Sequence, residues 1–459
     1  QVYIEKIPVL LSLQDIEIEG CAAACTNADG GIIWTNEPLS LSNVVLQGGR
    51  ASARGGAIYA GQDGIVEIKN SLLRDNQAPK GGAVYLVRNA LRMSQSLVTA
   101  NSATSVPDGA VIQVESATGP SATITNSTLS GNTVGLALSL REDAIVNSST
   151  IVANAGGIDF NGEEVRVFNT ILAGNGANDC VGTLTEAVMK NNLVVAGACL
   201  DDDNSVISNS GQLMAGLDAG GRCSGASGLL CPLAKHGDDK LESHLPRVLI
   251  GYVTIAESPL INKGGLNIQA GSIGECPGDD QRGKTRNDTL CDIGAVQLQA
   301  LTGSVRAGDA IRFNQTYTPT RDDYLGLLGD EELLPASECP GTPPTPAAGS
   351  SYRDDLPGCP WLEVLPERGV VTFNPDGTYT YVPNANFHGF DPFTIRVMTT
   401  VSRLNSQPIN QSRVLSAQVI MEPTSGISTD SLGGAVGLGG LFMLLLGGWS
   451  VRRVRGVSL

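Results

Sequence analysis

The chain has 459 residues, of which 41% are hydrophobic, 17% charged and 4% aromatic, and 56 are glycine. That length allows two to four domains or one long repeat array plus extras, and the composition excludes a helical enzyme in favour of short strands joined by tight turns. The net charge of −16 repels phosphate backbones and anionic lipid, and no basic patch interrupts the body of the chain, so nucleic acid is excluded as a partner.

The sequence opens at Gln1 with no charged n-region or apolar h-region ahead of the folded part. The expectation is a chain whose signal peptide has been removed, or one that begins internally. A phrase then recurs: NSLLRDN at 70–76, QSLVTAN at 95–101, NSTLSGN at 126–132, SSTIVAN at 148–154 and NTILAGN at 169–175. Weaker copies are SNVVLQGG at 42–49 and NNLVVAG at 191–197. The closing residues Asn76, Asn101, Asn132, Asn154 and Asn175 are spaced by 25, 31, 22 and 21. Between phrases stands a second run (GGAIYA at 55–60, GGAVYL at 81–86, DGAVIQV at 108–114) and then a third (GIVEIKN at 64–70, SATITN at 121–126, EVRVFN at 164–169).

Three short β-rich runs in about 21–31 residues make one rung of a solenoid, which cannot bury its inner face until the next rung stacks about 4.8 Å above it. The expected inner residues are Ala57, Ile58, Val66, Ile68, Leu72, Val84, Ile124, Leu129, Ile151 and Ile171. The five Asn residues are expected in one column, at a turn where Asn tolerates left-handed geometry and stacks on its copies. Gly55–Gly56 and Gly81–Gly82 fit turns needing positive φ. A leucine-rich repeat is rejected because LxxLxLxxN is missing and no rung holds a helix; a sandwich does not explain phrases recurring in register. Rung loops of variable length, such as 101–110 and 114–121, are the natural contact surface.

Ten cysteines fall into five near-neighbour pairs in chain order: Cys21 and Cys25, Cys180 and Cys199, Cys223 and Cys231, Cys276 and Cys291, Cys339 and Cys359. No CxxC zinc spacing occurs, so the reading is disulfides formed in an oxidising compartment, with the connectivity open. No catalytic, cofactor or metal residue is assigned. Asp75, Asp143, Asp159, Glu163 and Glu164 are scattered acids, and Arg74, Arg92 and Arg141 scattered bases, that read as solvated face residues. LDDDNS at 200–205 raises calcium, but without D-x-D-x-D-G spacing a hydrated acidic loop is the simpler reading. His236, His244 and His388 are far apart with no HExxH, and no GxSxG, P-loop or Rossmann fingerprint occurs.

The repeat resembles the right-handed parallel β-helix of bacterial surface and secreted proteins. In residues 232–297, PLAKHGDDKLESHLP, SPLINKGG, CPGDDQRGKTR and CDIGAVQ resemble the closing segment of the choice-of-anchor Q family of surface proteins. That pattern commonly ends in Glu, where this chain has Gln297. The resemblance covers roughly residues 40–297, with structural ion-pair and turn roles expected for Asp279, Asp280, Arg282 and Arg286.

Residues 298–423 lack the phrase. GVVTFNPDGTYTYVPNANFHGFDPFTIRV at 369–397 resembles the end of a cadherin-like or bacterial Ig-like domain, with Asp376–Gly377 as a hairpin turn and FDPFTIRV as a third strand. The Pro-rich stretch 330–360 reads as a long loop tied by Cys339 and Cys359. Residues 424–431 read as a linker. Residues 432–451 carry no charge and seven glycines, followed by Arg452, Arg453 and Arg455, which spans a bilayer with the body outside. This tail resembles a GlyGly-type sorting signal processed by a rhomboid-family protease, which implies cleavage near Gly433–Gly434, a sorting protease as partner, and export to the surface of a Gram-negative cell after initial anchoring in the inner membrane.

The expected fold class is all-β: a right-handed parallel β-helix with three strands per rung (1–297, closing segment 232–297), a small β-sandwich (298–423), a linker and a membrane-spanning sorting tail (432–459). The expected function is a non-enzymatic surface scaffold for adhesion or recognition of a carbohydrate or other cell-surface ligand. The alternative is a polysaccharide lyase or glycoside hydrolase of the pectate-lyase-like β-helix type, since fold alone does not give function.

Overall fold

The computed structural model describes residues 2–4, 10–20 and 27–422, apart from 63, 116–120, 142, 161–163, 177, 183–187, 196–198, 200–203, 208–209, 219–220, 239, 250–251, 253–256, 287–289, 300–303, 313–314, 327, 342–351, 388 and 402–412. The first domain is a parallel β-solenoid of three sheets. Sheet A has eight strands, running from Val2–Ile4 through Ile58–Ala60 and Val84–Leu86 to Cys180–Val181. Sheet B has eight, from Leu11–Gln14 through Gly64–Lys69 and Asn89–Ser94 to Val188–Lys190. Sheet C has nine, from Glu17–Glu19 through Leu72–Arg74 and Thr128–Ser130 to Ser205–Ile207. The GGAIYA-type runs build sheet A, the GIVEIKN-type runs sheet B, and the recurring phrase sheet C.

Pairing is in register along every column, for example Leu46–Leu73–Val98–Leu129–Ile151–Leu172–Val194 in sheet C. These side chains point inward and join Ile58, Val66, Ile68, Val84 and Ile124 in one buried core. Two expectations fail here. Leu72 is half-buried and Ile171, although buried, lies under the closing segment rather than in the rung interior. Both occupy the third position of the phrase, whereas its fourth position faces in; a strand alternates faces at every residue, so an error of one inverts the assignment.

The Asn column exists as expected. Asn76 donates through Nδ2 to Asn101 Oδ1 (2.9 Å), Asn101 to Asn132 (3.1 Å), Asn132 to Asn154 (2.7 Å) and Asn154 to Asn175 (2.9 Å). Each Oδ1 also accepts the backbone N–H of the Asn one rung earlier. The geometry differs from expectation in one respect. The left-handed residue is the one before each Asn, namely Asp75, Ala100, Gly131, Ala153 and Gly174. The Asn side chain turns inward to satisfy buried backbone groups, and a left-handed backbone does not serve that purpose.

The sequence reading missed a second ladder at the start of the phrase. Ser71, Ser96, Ser127, Ser149 and Thr170 each accept a backbone N–H from the preceding rung and donate to the carbonyl two residues back. The glycine pairs divide their work: Gly55 and Gly81 hold positive φ, while a Cβ on Gly56 would lie 2.0 Å from the Gly82 carbonyl oxygen.

Four of the five near-neighbour cysteine pairs form disulfides: Cys180–Cys199, Cys223–Cys231, Cys276–Cys291 and Cys339–Cys359. Cys21 and Cys25 lie outside the described residues, as do Glu163, His388, most of LDDDNS, and the tail with Gly433, Gly434, Arg452, Arg453 and Arg455. Among the described residues no helix is long and apolar enough to cross a membrane.

Beyond residue 303 an Ig-like sandwich forms. A four-stranded sheet orders Ser304–Arg312, Arg413–Glu422, Gly389–Val397 and Trp361–Val364, and the hairpin Gly369–Phe373/Tyr379–Pro383 stands as a second sheet. Gly377 turns the hairpin at positive φ, as expected. FDPFTIRV is a strand, but in the opposite sheet from the hairpin. Tyr379, Tyr381, Phe373, Phe393 and Ile395 fill the space between, and buried Asp391 ties the sheets by accepting from Tyr381 Oη, Glu367 N and Arg368 N.

Candidate functional site

Each of the solenoid's three outer faces has a different fate. The closing segment covers sheet C. Ile171, Leu193 and Val152 are sealed beneath Leu229, Leu230, Leu260, Ile293 and Val296. One strap, residues 264–281, runs back along the corner between sheets B and C. Side-chain amides of that corner donate to its carbonyls: Asn191 to Leu266 (2.9 Å), Asn169 to Gly274 (2.8 Å), Asn147 to Glu275 (2.8 Å), Asn126 to Asp279 (2.7 Å) and Gln95 to Asp280 (3.1 Å).

On sheet A the outward column is Trp34–Tyr59–Tyr85–Gln113–Ser139–Asp159. The three rings stack at 6.2 and 6.0 Å, and Arg54, held in a bidentate pair by Asp29, caps Tyr59 at 4.7 Å. The hydrogen bond to Asp29 raises the Arg54 pKa above its ordinary value, and burial pushes Tyr85 up to about 12. From Tyr59 to Asp159 this column is buried, so it is a packed spine. Nothing in the sequence pattern separated these outward aromatics from core ones; only their shared parity with Gln113 and Ser139 signals it.

Sheet B is the open face. Glu67 and Arg92 are exposed and sit opposite each other across adjacent strands, with Ser94, Thr123 and Thr125 half-exposed beside them. They floor a shallow depression of about 740 Å³ that Ile65 and Ala90 also line. The strap forms one side of this face. Val114, Glu115 and Ser121 border the other side, and residues 116–120 between them are outside the described residues.

The structure does not bring the sequence's scattered charges together. Arg74 and Asp75 stand on sheet C and its far corner, Arg141 and Asp159 pair on sheet A at 3.6 Å, and Glu164 pairs with Arg166 at the start of a sheet B strand. The carbonyl of Asp143 accepts from Ser121. Of the eight scattered acids and bases, Arg92 alone floors the depression among the described residues.

A second cavity, of about 700 Å³, lies between the closing segment and the sandwich domain, lined by Arg222, Lys235, His236, Arg321 and Glu332 among others. Its walls are clamped. The fully buried side chain of Arg282 joins Asp280 (2.9 Å) to Asp330 (2.9 Å), and Arg247 holds Glu332 (2.7 Å) and three backbone carbonyls. The ion-pair roles expected for Asp280 and Arg282 therefore also join two domains. Arg286, lowered to about 10 by burial, bonds Asn126, Gln297 and the Gly294 carbonyl. Gln297 Oε1 offers the acceptor that a Glu would, without the charge. Cys223, Cys231 and Glu332 converge within 4.8 Å, but the two sulfurs bond each other, which removes both as metal ligands. His236 is lowered by burial. His244, lowered to about 4 by burial, receives Ser130 Oγ–H at Nε2 (2.8 Å) and donates from Nδ1 to the Cys231 carbonyl (2.8 Å).

A family model for the bacterial Ig domain matches residues 349–410. No curated protein and no solved structure matches the chain. A β-solenoid carrying an Ig domain and disulfides is compatible with an extracellular or surface protein.

Proposed function

We propose that this chain is a non-enzymatic surface scaffold, an adhesin or recognition protein whose contact face is the outer side of sheet B. One observation carries the reading. Of the three solenoid faces, sheet C is sealed by the closing segment and sheet A is packed shut from Tyr59 to Asp159, while sheet B presents Glu67, Arg92, Ser94, Thr123 and Thr125 to solvent over a long, shallow floor. Such a floor suits an extended carbohydrate, whose hydroxyls bond serine, threonine and charged side chains in a repeating pattern. The charge-paired positions of Asp159 and Glu164 support binding over turnover, because hydrolysis needs two carboxylates flanking one bond. Display at the surface, with the tail as a processed sorting signal, belongs to the same proposal.

The test is a panel of acidic and neutral polysaccharides offered to the full chain, read for binding and for new reducing ends or unsaturated products. Retention that Glu67→Ala and Arg92→Ala weaken at least fivefold, without products, is expected. Robust turnover sinks the scaffold reading, and retention indifferent to both variants removes sheet B as the contact face.

A further inference from the structure

The strap stops short of the end of its own track. Where it lies, each covered rung offers an amide from the corner between sheets B and C. Asn169 shows the full pattern: its Nδ2 donates to Asn147 Oδ1 within the corner (2.9 Å) and to the Gly274 carbonyl of the strap (2.8 Å). Beyond Gln95 the corner continues through Asn70, Asn43 and Asp15, all left-handed like Asn126, Asn169 and Asn191. Asn70 donates to Asn43, and Asn43 to Asp15 (2.9 Å). Like Asn169, each donates an amide hydrogen to the rung before it, here at the equivalent corner position, and among the described residues no strap carbonyl takes the second amide hydrogen. Beside them lies an apolar strip. Val45 and Leu72 are half-buried and Ile16 is 42% exposed, whereas Leu97, one rung on and in the same column, is covered. The resulting hollow is about 370 Å³ and is walled on one side by Lys240 and Leu241.

The geometry points to a peptide-docking site: the corner of Asp15, Asn43 and Asn70 takes a turn-rich polypeptide segment of a partner protein in the mode of the chain's own strap, which passes through successive turns between residues 265 and 275. The donors are amides repeating once per rung, about 4.8 Å apart, and they meet backbone carbonyls on every rung that is occupied. The strip over Val45 and Leu72 takes apolar side chains of that segment, as Leu97 and Ile171 are covered further along. This site is separate from the sheet B floor and stands independently of the proposed function.

The probe is the acetylated, amidated peptide GGLNIQAGSIGE, residues 264–275 of this chain, which supplies the carbonyls for Asn191, Asn169 and Asn147. It is titrated into the isotopically labelled full chain. Saturable shifts of the Asn43 and Asn70 side-chain amides are expected, with affinity at least tenfold weaker in the Asn43→Gly/Asn70→Gly double variant. Glycine tolerates φ of 56° and 49° at these positions, and an unchanged melting temperature verifies that the variant folds. The proposal is overturned by the absence of shifts at Asn43 and Asn70, by equal binding to the double variant, by shifts at Asn126 and Asn169 that mark displacement of the native strap, or by a neutral oligosaccharide such as cellohexaose producing the Asn43 and Asn70 shifts in the peptide's place.

Discussion

Replacing Asn132 with alanine tests the rung ladder directly. Asn132 Oδ1 accepts from Asn101 N (3.0 Å) and Asn101 Nδ2 (3.1 Å), and its Nδ2 donates to Val98 O (3.1 Å) and Asn154 Oδ1 (2.7 Å). The site is buried, so water does not replace these partners. Asn101 Nδ2 keeps Leu73 O and Thr99 O, and Asn154 Oδ1 keeps the backbone N–H of residue 132. The backbone N–H of Asn101 loses its acceptor. One orphaned buried donor costs about 1–3 kcal/mol and each of the three further lost bonds about 1 kcal/mol, so Asn132→Ala should lose about 4–6 kcal/mol. Aspartate at the same place discriminates further. It keeps both accepting contacts but turns its second oxygen toward two other acceptors. The folded state then holds the proton, with the carboxyl pKa raised above its unfolded value. Asn132→Asp should therefore be close to wild type below about pH 4 and lose stability as pH rises above that. Guanidinium unfolding gives the global change, and native-state hydrogen exchange at the Asn101 amide gives the local one, which matters because solenoids open rung by rung. A loss no greater than that of exposed Gln14→Ala, or an Asn132→Asp variant with a flat pH profile, would refute the ladder's energetic role.

Two buried polar groups and one disulfide offer further tests. His244 is folded in a state that resists protonation, lowered to about 4, so its stabilising share is complete above the unfolded pKa of about 6.5 and falls by about 1.4 kcal/mol per pH unit as pH drops from there toward 4. The difference in stability between wild type and His244→Leu should carry that slope, and a pH-independent difference contradicts it. Arg282→Ala leaves Asp280 and Asp330 buried without their shared cation, a loss of about 3–5 kcal/mol; limited proteolysis should also show the sandwich domain released from the closing segment, and an intact junction speaks against the clamp. Serine at both Cys276 and Cys291 removes a 15-residue link worth about 3 kcal/mol, with exchange protection lost first along the strap; uniform loss across sheets A and B would mean that the strap is no separate unit.

The sequence alone determined the solenoid, because each rung repeats one local solution: three short apolar runs, a glycine pair for a tight crossing, and an Asn at a fixed place after the fourth-position knob. Register followed from repetition, so the column Asn76–Asn175 was legible without coordinates, as were four of the five near-neighbour cysteine pairs. So was the hairpin at Gly377. What the sequence left open were relations between segments far apart along the chain. Leu72 and Ile171 look as apolar as Leu73 and Leu172, and only the alternation of the folded strand assigns each pair a face. The opening serines read as turn residues until stacked rungs present backbone N–H groups to their hydroxyls. DQRG and DEE, at 280–283 and 330–332, become a clamp only when the chain folds back to bring Arg282 to Asp330. The fate of each solenoid face was likewise a tertiary decision. Whether a face is sealed or open depends on where the closing segment lies, and that is settled by carbonyls of residues 266–280 meeting amides on rungs 75 to 185 residues distant, a complementarity that no local pattern encodes.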